Sequence, residues 1–246
     1  MSGNVNRAAA TPRRVLIVVA SPAVSTTLGI PVGFWASELT HAWYELHEVG
    51  YELTIASPRG GKVELDAYSD PRHESRYSAD DILSLGFLSS PEHAALLEST
   101  LALADVRMED YDALYVAGGQ APMFTFRDDA RLIELVRAFY EAGKATALVC
   151  HGTCVLLDVR LSDGSLLIAG KQMTGFANSE EDFADQVIGT RVMPFRIEDE
   201  ARALGANVCV APAFRPFAVR DGNLITGQQQ FSGRAAAQLL IDVLGR

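Results

Sequence analysis

The run Val15-Leu-Ile-Val-Val-Ala20 is apolar at every position. A strand that is apolar on both faces must be covered on both sides, which is the signature of a central strand in a parallel sheet. The segment Lys144–Val149 repeats this pattern. Asp112–Ala117 is a further strand and ends at Gly118-Gly119. Between these strands lie helical stretches closed by glycine, such as Ala36–Val49 before Gly50 and Asp129–Ala142 before Gly143. Strands alternating with helices predict a parallel sheet wrapped on both faces.

The rest of the chain fits the same scheme. Tyr51–Ser57 is a second strand, and Pro91–Ala104 is a helix with proline in its first turn. Lys171–Thr174 and Asn207–Ala211 read as strands, and Phe195–Leu204 and Ser232–Leu244 as helices. Asp221-Gly222 makes a tight turn between Phe217–Arg220 and Asn223–Thr226. Residues 62–90 are polar and irregular, too long for a simple connection, and read as an inserted cap-like excursion. The expected fold is therefore α/β, flavodoxin-like and doubly wound: a mostly parallel sheet sandwiched by helices. A single domain is expected over residues 13–246, after a mobile tail over residues 1–12.

Composition narrows the function. The 246 residues carry 21 basic and 31 acidic side chains, a net charge of −10. Such a balance disfavours nucleic acid and anionic membrane as partners. Three cysteines make no disulfide framework and suit a reducing, cytoplasmic compartment. The apolar run after Arg13-Arg14 is too short for a signal peptide or membrane helix. The spacing contains no P-loop, no dinucleotide fingerprint and no metal-ligand cluster, so neither a cofactor nor a metal is expected.

In an open α/β sheet, ligands bind beyond the carboxyl ends of the strands. The loop after Ala20, Gly118-Gly119 and Cys150 meet there. Cys150 lies in Ala147-Leu-Val-Cys-His-Gly152, an abrupt strand-to-helix junction like the nucleophile elbow of hydrolases. Gly152 is expected to permit the sharp turn. A helix start favours the thiolate, so a lowered pKa is expected. His151 fits a base, an acid or an orienting group. None of the five histidines lies beyond it, which excludes a nucleophile followed by a downstream histidine. Glu38, in Gly33-Phe-Trp-Ala-Ser-Glu38, starts the helix after the first strand. Pressed against a thiolate and Trp35 it would have a raised pKa and shuttle protons; otherwise it complements the helix dipole. The amides of Gly119 and His151 could form an oxyanion hole, with Gly118 giving them room. Cys154 and Cys209 read as core. Asp66, Ser69 and Glu180-Glu181-Asp182 read as solvated loop and helix-start groups.

Taken together, these residues resemble the ThiJ/PfpI superfamily, of class I glutamine amidotransferase-like fold, in the branch of glyoxalase III and the heat-shock chaperone/glyoxalase proteins. The matching blocks are Arg14–Ser21, Gly33-Phe-Trp-Ala-Ser-Glu38-Leu, residues 50–61, Asp112–Gly119, Ala147–Gly152, Thr174-Gly-Phe-Ala-Asn178-Ser-Glu-Glu181 and Asp221–Gln228. The resemblance implies Cys150 as nucleophile, His151 as its partner, Glu38 as the carboxylate on the thiol, and a homodimer. Two segments depart from the family pattern: Gly118-Gly-Gln120-Ala121, and Gly227-Gln-Gln-Gln230. Both are expected to border the pocket. Near the Gly-Phe block the chain offers Asn178 and Glu180 where some members carry an Asp, and no third catalytic role is assigned.

The expected activity is cofactor-free, cysteine-dependent conversion of a small 2-oxoaldehyde such as methylglyoxal to a 2-hydroxy acid, in stress detoxification. The alternatives are a hydrolase or hydratase of amidase, peptidase or deglycase type, motivated by Gln120 and Gln229-Gln230, and a redox-sensing holding chaperone.

Overall fold

The structure, a computed structural model, describes residues 12–245. The expected tail over residues 1–12 lies, apart from Pro12, outside the described residues. At the centre is a seven-stranded sheet. Its spatial order is Ala218–Asp221, Leu224–Gly227, Ala145–Val149, Ala113–Val116, Arg14–Val18, Glu52–Ser57 and Leu101–Ala102. All neighbours pair in parallel except the hairpin Ala218–Asp221 with Leu224–Gly227, at one edge. The fold is the flavodoxin-like α/β architecture that the sequence predicts.

The chain begins in the middle of the sheet. From Arg14–Val18 it steps to one side for Glu52–Ser57 and then to the other for Ala113–Val116. The winding direction therefore reverses between Arg14–Val18 and Ala113–Val116, which opens a crevice at their carboxyl ends. The apolar runs explain the burial. Val15 to Ala20 and Ala113 to Ala117 are all fully buried, as strands packed on both faces must be.

Several elements differ from their expected extents. The helix from Pro91 stops at Glu98, and Leu101–Ala102 becomes the edge strand rather than helix. The excursion over residues 62–90 is not irregular throughout. Ile82–Ser89 is a helix, started by Asp81, whose side chain accepts the Ser84 amide at 3.1 Å. An acidic residue ahead of an apolar stretch is a helix-start signal that the polar flanks concealed. Asn178–Ile188 is also a helix, although its first turn is almost wholly polar. Cys154 is fully buried, whereas Cys209, just past the two-residue strand Asn207–Val208, is partly exposed and not core. Among the described residues no helix is long and apolar enough to cross a membrane.

Candidate active site

Val149 ends a fully buried strand, and Cys150 follows at φ +55°, a left-handed conformation that a non-glycine residue rarely adopts. A 3-10 helix over Cys150–Leu157 starts at once. The strain thus sits on Cys150 itself and not on Gly152. Gly152 serves the packing of the turn instead, since a Cβ there would stand 2.8 Å from the Ala117 carbonyl oxygen. Its bare Cα lets the turn press against the end of the neighbouring strand. The result is an elbow with Cys150 at the crevice.

Cys150 is only 3% exposed, yet it lines a cavity of about 270 Å³. Burial pushes its thiol well up, and the Glu38 carboxyl adds to that. The His151 amide points at the sulfur and pulls the other way, as a helix start should, but it is outweighed. The expected lowered pKa is therefore reversed in the resting site: desolvation opposes the thiolate more than the helix start favours it.

Glu38 is fully buried in the first turn of the helix Ala36–Glu48. Its Oε2 accepts the Gly118 amide at 2.6 Å. Its carboxyl meets the Cys150 thiol, while Oε1 has no conventional hydrogen-bond partner. Burial raises its pKa to about 8, with Asp66 adding to the rise. Near neutral pH Glu38 thus carries a proton beside the sulfur. The Gly118 amide is consumed by this bond and is not free for an oxyanion. A Cβ on Gly118 would come within 2.8 Å of Glu38 Oε2 and of the His151 and Gly152 amides. Gly119 sits at φ +109° with its Cα against the Phe34–Trp35 backbone.

His151 is sandwiched in a chain of contacts. Its Nδ1 is 3.8 Å from Cys150 Sγ, and its Nε2 is 3.1 Å from Glu181 Oε1. A carboxylate there accepts a hydrogen from Nε2, which leaves the Nδ1 lone pair facing the sulfur. Phe176 packs on the imidazole with ring centroids 4.2 Å apart. Glu181 and its neighbour Glu180 are buried, not solvated as the sequence suggested. Glu180 caps its own helix by accepting the Ala177 amide at 3.0 Å, and it also takes the Phe214 amide and the Gln228 side chain. These bonds satisfy the carboxylate and draw the helix Asn178–Ile188 inward.

Asp66 is likewise buried rather than solvated. Its two oxygens accept the amides of Gly33, at 2.9 Å, and Gln120, at 2.6 Å. Ser69, also buried, donates to the Asp66 carbonyl. The excursion is thereby pinned to both loops that frame the elbow. Burial raises the Asp66 pKa to about 6.

Trp35, Gln120 and Gln230 all line the cavity, together with Cys150, His151 and Glu181. The triple-glutamine segment divides its work. Gln228 and Gln229 bond within the fold, to Glu180 and to the Arg215 carbonyl, and Gln230 faces the cavity. Asn178 bonds Asp199 and is not among the cavity-lining residues. Among the described residues no group of three or more His, Cys, Asp or Glu side chains could hold a metal ion.

Comparison with known proteins gives this arrangement a context. The model of the DJ-1/PfpI family matches residues 27–241. A relative in Schizosaccharomyces pombe, named as a probable glutathione-independent glyoxalase, is 30% identical over 154 residues; the match covers 61% of this chain and 59% of the relative. A second glutathione-independent glyoxalase of that yeast is 24% identical over 235 residues, covering 87% of this chain and 88% of the relative. Among solved structures, the Rapid Encystment Protein 24 KDa of Francisella tularensis superposes with a TM-score of 0.85 at 28% identity, covering 95% of this chain and all of that one. Glyoxalase III of Candida albicans gives 0.78 at 24% identity, covering 94% and 96%.

Proposed function

The chain belongs to the DJ-1/PfpI family, and from that premise we propose that it is a cofactor-free glyoxalase, converting a 2-oxoaldehyde and water to a 2-hydroxy acid with Cys150 as nucleophile. The observation that carries this reading is the line of groups Glu38, Cys150, His151 and Glu181. One group brings a proton, one a sulfur, one a base and one an anchor for the base.

The steps balance without an outside oxidant. Substrate entry brings the aldehyde carbon to Sγ. The thiol proton passes to His151 Nδ1, and a C–S bond forms as the aldehyde oxygen takes up charge. The His151 amide, directed at the sulfur, and the Gly119 amide stabilise that oxygen. Protonation of the oxygen by Glu38 gives a hemithioacetal. A base then removes the hydrogen of the former aldehyde carbon as the ketone oxygen takes up a proton, forming an enediol; a proton is delivered to the adjacent carbon and the hydroxyl on the sulfur-bearing carbon gives up its own. The aldehyde carbon is now a thioester and the ketone an alcohol, so one carbon is oxidised as its neighbour is reduced. Water cleaves the C–S bond, releasing the hydroxy acid and returning the thiol. Glu38, protonated near neutral pH and buried beside the sulfur, and His151 are placed to carry these protons.

The names of the yeast relatives support the reaction class. The redox-sensor alternative loses its motive, because Cys150 is buried and its pKa raised. The test is lactate formation from methylglyoxal by purified protein without glutathione. Cys150→Ala should abolish it, and retained turnover in that variant would overturn the proposal.

A further inference from the structure

The cavity at Cys150 joins a buried polar set to apolar side chains that are open to solvent. Cys150, His151, Glu180, Glu181 and Gln230 line it and are all buried. Phe176, Val192 and Met193 are buried in its wall, but other apolar side chains that line it are exposed: Phe183 is 48% and Val187 65% accessible. Soluble surfaces seldom hold such a group together without a ligand or partner to cover it.

One helix builds much of this wall. Asn178–Ile188 places Glu180, Glu181, Phe183, Ala184, Val187 and Ile188 on the cavity. Its first turn supplies the carboxylate that anchors His151, and its later turns supply only apolar surface. Phe214 meets Phe183 edge-on from the opposite segment, with ring centroids 5.2 Å apart. The apolar wall is thus continuous with the reacting sulfur. At about 270 Å³ the cavity approaches the range of roughly 300–1,000 Å³ that holds drug-sized ligands. A three-carbon aldehyde would leave most of it to water against hydrocarbon.

We propose that the substrates of this site are carbonyl compounds with an apolar substituent of several carbons, seated along the Asn178–Ile188 helix while the carbonyl reaches Cys150. This rests on the carbonyl chemistry proposed above and names its substrate class. A ligand of this kind covers Phe183 and Val187, which line the same cavity as the sulfur.

The experiment is a homologous series of straight-chain 2-oxoaldehydes, from methylglyoxal to 2-oxooctanal, on the full chain. A fully buried methylene is worth about fourfold in kcat/KM. With partial burial, at least thirtyfold is expected across the series, and the ratio between the longest and shortest substrates should fall severalfold in Val187→Asp. A second measurement needs no turnover. In alkylation of Cys150 by 1-bromo-2-alkanones, the C–S bond forms, bromide leaves and the thiol proton goes to water. Its second-order rate constant, read by intact mass, should rise with chain length in the same order. Turnover of methylglyoxal with no gain from length, together with a flat alkylation series, would overturn the substrate class and leave the glyoxalase reading intact. Absence of all turnover with a rising alkylation series would sink the glyoxalase reading and keep the apolar site.

Discussion

His151 Nε2 lies 3.1 Å from Glu181 Oε1, with both side chains buried. This bond joins the elbow to a helix thirty residues further along the chain, and it decides which ring nitrogen faces Cys150. Glu181→Ala leaves the imidazole free to rotate and to change tautomer, so the sulfur loses its base. General-base help of this kind is worth about 10²–10⁴-fold. We expect kcat for the 2-oxoaldehyde reaction to fall at least a hundredfold in Glu181→Ala and less in Glu181→Gln, whose amide oxygen can still accept from Nε2. Equal losses in the two variants would show that hydrogen bonding is not what Glu181 provides.

Much of this site is legible in the sequence because it obeys local rules. The apolar runs before Ala20 and Cys150 mark central strands, and the Cys-His-Gly block marks an elbow. Glu38 follows from its place in a helix's first turn. Glu181 and Asp66 are not legible this way. Each is a carboxylate among polar neighbours, and local pattern assigns such groups to solvent. What buries them is distant: the imidazole of His151 for one, and the amides of Gly33 and Gln120 for the other. The Cys150 pKa fails for a related reason. A helix start is visible in sequence, but the burial that overrides it comes from the whole sheet edge.

Glu38 makes a prediction about stability as well as rate. Its pKa is about 8 in the fold against an ordinary 4.5. Between those values the folded chain holds a proton that the unfolded chain has lost, so stability falls as pH rises through this window and is level above it. At pH 7 the cost is about 3 kcal/mol. Glu38→Gln keeps the shape without the charge. It should raise Tm at pH 7 by about 5–10 °C, with the gain vanishing near pH 4, while catalysis is lost. A Tm difference independent of pH would show that the Glu38 carboxyl is not held protonated.

Asp66 opposes two effects of similar size. Asp66→Ala orphans the buried Gly33 amide and the part-buried Gln120 amide, at about 1–3 kcal/mol each. It also removes a carboxylate whose pKa stands at about 6 rather than 3.8, which costs the fold about 3 kcal/mol at pH 7. These nearly cancel at neutral pH. At pH 4.5 the wild-type carboxylate takes its proton and most of its cost disappears, so there the variant is the less stable. Denaturant titrations at the two pH values should show a near-zero difference at pH 7 and a loss of about 2 kcal/mol at pH 4.5. Activity should fall about tenfold at pH 7 even so, because the Gly118–Gln120 loop is no longer pinned to the excursion.

Gly118 is held by geometry alone. An added Cβ would stand 2.8 Å from Glu38 Oε2 and 2.8 Å from the amide nitrogens of His151 and Gly152. Two of those three atoms are backbone at the elbow, so the Gly118 loop must back away from it, which pulls the Gly118 amide off its 2.6 Å bond to the carboxylate. Gly118→Ala should therefore cost about 1–3 kcal/mol of stability and disable turnover in the molecules that still fold. Gly86→Ala is the contrasting change. It lies inside the helix Ile82–Ser89, where the nearest atom to the new methyl is the Tyr44 hydroxyl at 3.9 Å. Removing glycine's backbone freedom there should stabilise the chain by about 0.5–1 kcal/mol without touching the site. Thermal unfolding and kcat measured on both variants separate the two cases. If Gly118→Ala keeps full turnover, the bond from its amide to Glu38 does not position that carboxyl for reaction.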